Sequence, residues 1–158
     1  MPTTLTALTI PPLDPQGHLT THHGGALNLP AHGQSAWLQE QVGGLPEASY
    51  YHPDAVLHVH GNGLAEHLPL NPVAWTLASA WRGAQLPYLL AGPAVITGTE
   101  DHDGNLTPLP APLATRTHKA IEAATEWWHE NHLYLPHWPF SLDSPAFAPA
   151  INATRLAL

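Results

Sequence analysis

Glycine and proline breaks constrain the fold of this chain most strongly, because they divide residues 34–98 into short segments. Gly43-Gly44 ends a segment with helical spacing of its apolar residues, and Gly61-Asn62-Gly63 ends an alternating, strand-like segment. Asn71-Pro72 is a typical helix start, since Asn caps the first turn and Pro suits the first helical position. A longer element that crossed these breaks would be destabilised. The sequence therefore predicts several short elements.

The predicted elements are strands and helices in alternation. Period-two alternation of apolar residues predicts strands, whereas spacings of three and four predict helices. The predicted strands are residues 4–10, 26–29, 55–60, 64–68, 88–99 and 106–109. The predicted helices are residues 34–42, 72–82 and 115–131. The main elements follow the order β-α-β-β-α-β, which predicts an α+β fold with a small mixed or antiparallel sheet and two short helices.

The C-terminal part of the chain differs in character from the rest. After the helix at 115–131 comes a tail rich in proline and aromatic residues, and its prolines argue against regular structure. Disordered tails are usually poor in aromatic residues, so we expect this one to be packed. We therefore predict an α+β core domain at 1–110. Residues 111–158 are predicted to pack as a helix and irregular tail on that core or on a neighbouring subunit, the latter giving a homo-oligomer.

Composition argues against several classes of function. Four Lys and Arg residues stand against twelve Asp and Glu residues, so the formal net charge is -8. A nucleic-acid-binding protein would have a basic footprint instead. The chain has no cysteine, which is typical of a reducing compartment, and its N-terminal residues do not read as a signal peptide. We expect a cytoplasmic protein that binds neither nucleic acid nor membrane.

Two histidines form a candidate metal site. His58 and His60 lie two positions apart on a predicted strand, so both imidazoles should point to the same face of the sheet. Two ligands on one face are a usual part of a metal site, and His22, His23 or His67 are candidates for a third ligand. The alternative is an exposed or hydrogen-bonded pair beside the turn. The metal-site interpretation predicts a bound divalent metal ion, whereas the alternative predicts no cofactor.

The other polar motifs do not support catalysis. Residues 101–105 predict a hairpin turn, since their glycine does not stand where a calcium loop requires it. A polar stripe on the third helix predicts a solvated face and consists of His118, Glu122, Glu126 and His129. The sequence has neither a nucleophile elbow nor a phosphate-binding loop. We therefore lean towards a protein that is not an enzyme.

Aromatic and amide side chains suggest a binding surface. Trp37 and Trp75 belong to the two short predicted helices, whereas Asn62 and Asn71 stand at breaks between elements. Indole rings can stack on a planar ligand, and amides can fix its orientation. The alternative is that both tryptophans pack in the core.

Four motifs in a fixed order resemble a known family. They are Q-E-Q-V-G-G at 39–44, G-N-G at 61–63, L-P-L-N-P-V-A at 68–74 and G-P-A-V-I-T-G at 92–98. Over about residues 1–110 the chain resembles domain of unknown function 3846, a family of small phage, plasmid and bacterial proteins. It departs from the family pattern in its His- and Gly-rich segment before Gln34. The resemblance implies a small α+β accessory protein of a mobile element and brings no catalytic residues.

These observations lead to two functional hypotheses. The first is a non-enzymatic accessory protein that sequesters a small molecule or inhibits a host protein through the surface around Trp37, Asn62, Asn71 and Trp75. The second is a histidine-rich metal-binding protein or metal-dependent enzyme that uses His58 and His60. An acidic mimic of DNA ranks below both, because the acidic residues form no long run.

Overall fold

One antiparallel sheet organises the computed structural model, which describes residues 7–20 and 25–158. Its strands are β1 (Ala7–Ile10), β2 (Gly25–Leu27), β3 (Pro46–His52), β4 (Ala55–His60) and β5 (Ala94–Thr97). They lie in the order β2-β1-β5-β4-β3, and each neighbouring pair is antiparallel. The predicted α+β class with a small antiparallel sheet is confirmed.

Four α-helices accompany the sheet in the described part of the chain. They are α1 (Gln34–Val42), α2 (Pro72–Arg82), α3 (Ala111–Glu130) and α4 (Ala148–Leu156). As the sequence predicts, α1 ends at Gly43, whose left-handed φ of 83° suits glycine, and α2 begins after an Asn71 cap. Within the described part of the chain, no helix combines the length and apolar character needed to cross a membrane.

The two faces of the sheet have different cover. Alternate strand residues such as Leu57 and Ile96 pack with α2, α3 and α4 in the larger hydrophobic cluster. The opposite residues belong to a small cluster beneath α1 that includes Leu38, Val42 and Val95. We call these the three-helix face and the α1 face. Three helices bury one face extensively, whereas a single nine-residue helix covers the other.

Aromatic rings from the C-terminal part fill the three-helix face. Trp138 meets Trp75 edge-on with ring centroids 5.6 Å apart, and Phe147 stacks near Trp128 at 5.8 Å. Trp138 and Phe147 are buried in the same cluster as Trp75. Such aromatic pairs bury large areas and add specific geometry. The predicted regions 1–110 and 111–158 thus share one hydrophobic core within a single chain.

The tail is more regular than predicted. Three 3-10 turns, at His132–Tyr134, Trp138–Phe140 and Pro145–Phe147, lead into α4. Three of the four prolines of the tail, Pro139, Pro145 and Pro149, stand in the first turns of these short helices, where a missing backbone N–H costs nothing. The expectation of an irregular tail was therefore wrong, because it treated these prolines as breaks in mid-element.

The hairpin that contains β4 also differs from the prediction. β4 forms its hairpin with β3, which precedes it, whereas residues 64–68 belong mainly to a turn held by hydrogen bonds such as Glu66 N–H to Asn62 C=O. β3 lies at the edge of the sheet, and its sequence P-E-A-S-Y-Y-H lacks apolar alternation. An edge strand with one mostly exposed side does not need that pattern.

Candidate functional site

A pocket of about 350 Å³ opens where β3 and β4 end, and we call it the Tyr88 pocket. Its walls come from β3, from the end of β4, from the following turn and from the segment before β5. The lining residues are Glu47, Ser49, Val59, His60, Gly61, Asn62, Gly63, Leu64, Ala65, Tyr88, Leu89, Leu90 and Ala91.

Strand register and one tyrosine pair position the walls of the Tyr88 pocket. Glu47 lies opposite Val59, so its side chain points to the three-helix side of the sheet edge. The hydroxyl of Tyr88 hydrogen-bonds that of Tyr51 and so joins β3 to the segment before β5. Burial and then this hydrogen bond raise the pKa of Tyr51 to about 12. The Tyr51 hydroxyl therefore keeps its proton at pH 7.

The turn after β4 packs tightly against its surroundings. A Cβ atom at Gly63 would lie 2.8 Å from the carbonyl oxygen of Ala91, and one at Gly44 would lie 2.2 Å from His60 Nε2. Neither backbone can come so close if the residue carries a side chain. Gly63 therefore lets the turn approach the segment before β5. Gly44, just after α1, lets the His60 ring lie against its backbone.

His60 holds this turn in place through hydrogen bonds at both of its ring nitrogens. The backbone N–H of Asn62 donates to His60 Nδ1 at 3.0 Å, so that nitrogen carries a lone pair. Nε2 then bears the proton and donates to Glu66 Oε2 at 2.5 Å. Both ring nitrogens of His60 therefore have a hydrogen-bond partner.

Two polar side chains of the Tyr88 pocket have no partner within residues 7–20 and 25–158. They are the carboxylate of Glu47 and the side-chain amide of Asn62. The lining residues include neither Lys nor Arg. The pocket therefore combines a negative charge, an amide and the ring of Tyr88, which is an arrangement that can receive a positively charged group.

A second pocket of about 220 Å³ lies on the α1 face, and we call it the His58 pocket. Gln34 joins its two sides, because its amide donates to the carbonyls of Pro30 and Leu106 and accepts from the Leu106 N–H. The lining residues are Gln34, Ser35, Leu38, Pro46, Ala48, His58, Glu100, Gly104 and Leu106.

The protonation state of His58 follows from its hydrogen bonds. The hydroxyl of Thr97 donates to the carbonyl of Gly98 at 2.8 Å, so Thr97 accepts from His58 Nε2–H at 2.9 Å. His58 Nδ1 therefore carries a lone pair, and it has no partner among the residues that the structure describes. His58 is 3 % exposed, and burial lowers its pKa to about 4. The ring is a neutral hydrogen-bond acceptor at pH 7.

A family model described as Domain of unknown function (DUF3846) matches residues 27–122. The chain belongs to this family. The matched range contains both pockets and ends within α3, so the predicted membership is confirmed, although the match begins after residue 26. No curated protein and no solved structure matches the chain significantly.

In this DUF3846 chain, two of the four predicted ligand-binding residues are enclosed in the core. Asn71 caps α2 by accepting from Ala74 N–H, and its amide donates to the carbonyls of Ile10 and Gly92. Trp75 Nε1 donates to the Leu86 carbonyl, and neither Asn71 nor Trp75 has exposed surface. Both residues therefore have a structural role that explains them without a ligand.

The other two predicted residues lie apart from each other. Trp37 packs, half-buried, against the cluster on the α1 face, and Asn62 lines the Tyr88 pocket. The structure therefore does not join the four predicted residues in one surface. Asn62 is the member of the set that lies in a pocket wall.

The predicted metal pair shares one face of the sheet but not one environment. His60 is tied to Glu66, whereas His58 bonds Thr97. Across the described ranges, no group of three or more His, Asp or Glu residues is placed to hold a metal ion. His22 and His23 lie outside the described residues. A metal site at this pair stays a prediction.

The sequence does not point to the residues that determine the charge and shape of the Tyr88 pocket. Glu47 stands in no motif of the sequence, and Tyr88 falls in the predicted strand at 88–99. The register of β3 on β4 is what turns the Glu47 side chain towards the pocket. Because the sequence does not predict β3, it does not predict the position of Glu47 either. The contact of Tyr51 with Tyr88 spans 37 residues and leaves no local pattern.

Proposed function

We propose that this protein acts by binding, without catalysis, and that it sequesters a small organic cation in the Tyr88 pocket. One observation carries the proposal: the Glu47 carboxylate lines this pocket without an ionic partner in the described part of the chain. A charged group beside a partly apolar wall gains most from a ligand that brings the opposite charge.

The rest of the pocket suits the same ligand. The ring of Tyr88 offers a face to a cation, and the side-chain oxygen of Asn62 offers an acceptor. Val59, Leu64 and Leu89 supply apolar walls for a short hydrocarbon or aromatic part. A volume of about 350 Å³ lies at the small end of ligand pockets. The net charge of -8 would attract cations over a longer range.

The remaining expectations rest on the sequence and the family. A mobile-element origin, inhibition of a host protein, and a cytoplasmic location all stay predictions. Of the two modes of binding, we favour the small molecule, because the polar groups without partners lie inside a pocket of ligand size.

Three probes of similar shape test the proposal. Benzylammonium, benzyl alcohol and benzoate differ in charge at one end, and each can be titrated into ¹⁵N-labelled protein while backbone resonances are followed. We expect benzylammonium to shift resonances of residues 61–65 and 88–91, with weaker effects from the alcohol and none from benzoate. Equal shifts from benzoate, or shifts by benzylammonium only elsewhere, would contradict the proposal.

Matched acidic variants separate the pocket from general electrostatics. Glu47→Gln removes the carboxylate of the pocket, whereas Glu126→Gln removes an exposed carboxylate on α3. Preference for the ammonium probe over the alcohol should disappear in the first variant and persist in the second.

A further inference from the structure

The buried imidazole of His58 lacks half of its hydrogen bonding. Its Nδ1 has no partner in the described ranges and keeps some accessible surface, since it is not among the fully buried atoms without partners. Those atoms are Trp81 Nε1, Thr117 Oγ1 and Trp138 Nε1. None of those three residues lines either pocket described above, whereas His58 lines the pocket named after it. The imidazole therefore has space beside it for a partner.

We propose that the His58 pocket is a second binding site, for a small neutral ligand that donates an N–H or O–H hydrogen bond to His58 Nδ1. The ligand class follows from the tautomer. Thr97 fixes the proton on Nε2, so the ring can only accept at Nδ1. A neutral donor satisfies this nitrogen without placing a charge beside the buried ring.

Another part of the pocket lining offers groups that would complete recognition. α1 begins beside it, after Gly33 in a left-handed conformation that supplies no side-chain cap. Ser35, in the first turn of α1, lines the pocket, and its hydroxyl has no hydrogen-bond partner in residues 7–20 and 25–158. The first-turn N–H groups and this hydroxyl are donors that can meet a carbonyl oxygen.

A planar lactam presents both kinds of group at once. Its N–H would meet His58, and its carbonyl oxygen would meet the start of α1. The pocket, at about 220 Å³, has room for a single ring. Its walls are already held by the Gln34 hydrogen bonds to Pro30 and Leu106, so little ordering should be required on binding.

The test compares 2-pyridone with N-methyl-2-pyridone, which keeps the ring and carbonyl but lacks the N–H donor. Protein labelled with ¹⁵N in its histidine rings reports the Nδ1 resonance of His58 directly, and the partly exposed His118, which lines neither pocket, serves as an internal control. We expect 2-pyridone to shift His58 Nδ1 saturably and N-methyl-2-pyridone to bind at least about tenfold more weakly. His118 should not move.

Two results would overturn this proposal: equal binding of both probes, or no shift of His58 Nδ1 up to the solubility limit of 2-pyridone. Both readouts use the unmodified protein and do not depend on a variant that folds. Glu47→Gln should leave 2-pyridone binding unchanged, because Glu47 lies in the other pocket. Failure of the Tyr88 pocket as a cation site is therefore distinguishable from failure of the His58 pocket.

Discussion

The two faces of the sheet show how the amount of helical cover determines where polar groups keep open space. On the three-helix face, the buried side chains of Asn71, Trp75 and Thr76 all bond within the chain. On the α1 face, a nine-residue helix leaves a pocket beside His58, whose Nδ1 has no partner in the described ranges. We infer that the part of the first face beneath the three helices supplies stability, that the Tyr88 pocket lies at the edge of that side, and that the second face has room for a ligand beside His58.

The largest expected change in stability comes from removing one aromatic ring from each face of the sheet. Trp138→Ala should lower the free energy of unfolding by about 3–5 kcal/mol, because Trp138 is fully buried between Trp75 and Trp128. Trp37→Ala should cost only about 1 kcal/mol, since Trp37 is half-buried. Urea unfolding of both variants measures the difference. A greater loss from Trp37→Ala would reverse the assignment of the faces.

A second test uses the pH dependence of stability. Because the pKa of His58 is lowered to about 4 in the folded state, the unfolded chain binds a proton there first as the pH falls. This stability is complete above about pH 6.5 and is lost progressively towards pH 4, by about 3 kcal/mol in total. His58→Phe should remove this part of the slope, whereas His118→Phe, at an exposed position, should retain it. An unchanged slope in His58→Phe would contradict the burial of a neutral ring.

A third test weakens one polar tie of the three-helix face. Asn71→Ala should cost about 2–3 kcal/mol, because it removes the α2 cap and leaves the carbonyls of Ile10 and Gly92 without their donor. Asn71→Ser keeps an acceptor for Ala74 N–H and should recover about 1 kcal/mol of that loss. Chemical denaturation of the two variants at neutral pH gives both values. If Asn71→Ala unfolded like the wild type, the amide would not be structural.

Local signals made much of this fold predictable. The Asn71-Pro72 start of α2 depends on capping within one turn, and the alternation in Ala55–His60 places His58 and His60 on one face. The sequence does not predict β3, because an edge strand needs no apolar alternation, and it does not predict α4, because Pro149 in the first turn of that helix has the same local pattern as a break. An element is predictable from local sequence when interactions within it, such as a helix cap or apolar alternation, stabilise it.

The pockets were less predictable, because they depend on contacts between distant residues. Glu47 reaches the Tyr88 pocket through its register with Val59, and the pocket is held by the Tyr51–Tyr88 hydrogen bond. Asn62 was predicted from its place in a turn, which is a local signal. The lone pair on His58 depends on Thr97, 39 residues away, and no local pattern indicates it.

The most direct measurement of the central claim is the dissociation constant of benzylammonium for the wild type and for Glu47→Gln, by calorimetry at low ionic strength. Glu47 is exposed at the pocket wall, where one ion pair is worth up to about 1 kcal/mol, or about fivefold in affinity. We therefore predict binding up to about fivefold weaker in Glu47→Gln and nearly unchanged in Glu126→Gln. Equal affinity of Glu47→Gln and the wild type would contradict the assignment of the Tyr88 pocket as a cation site.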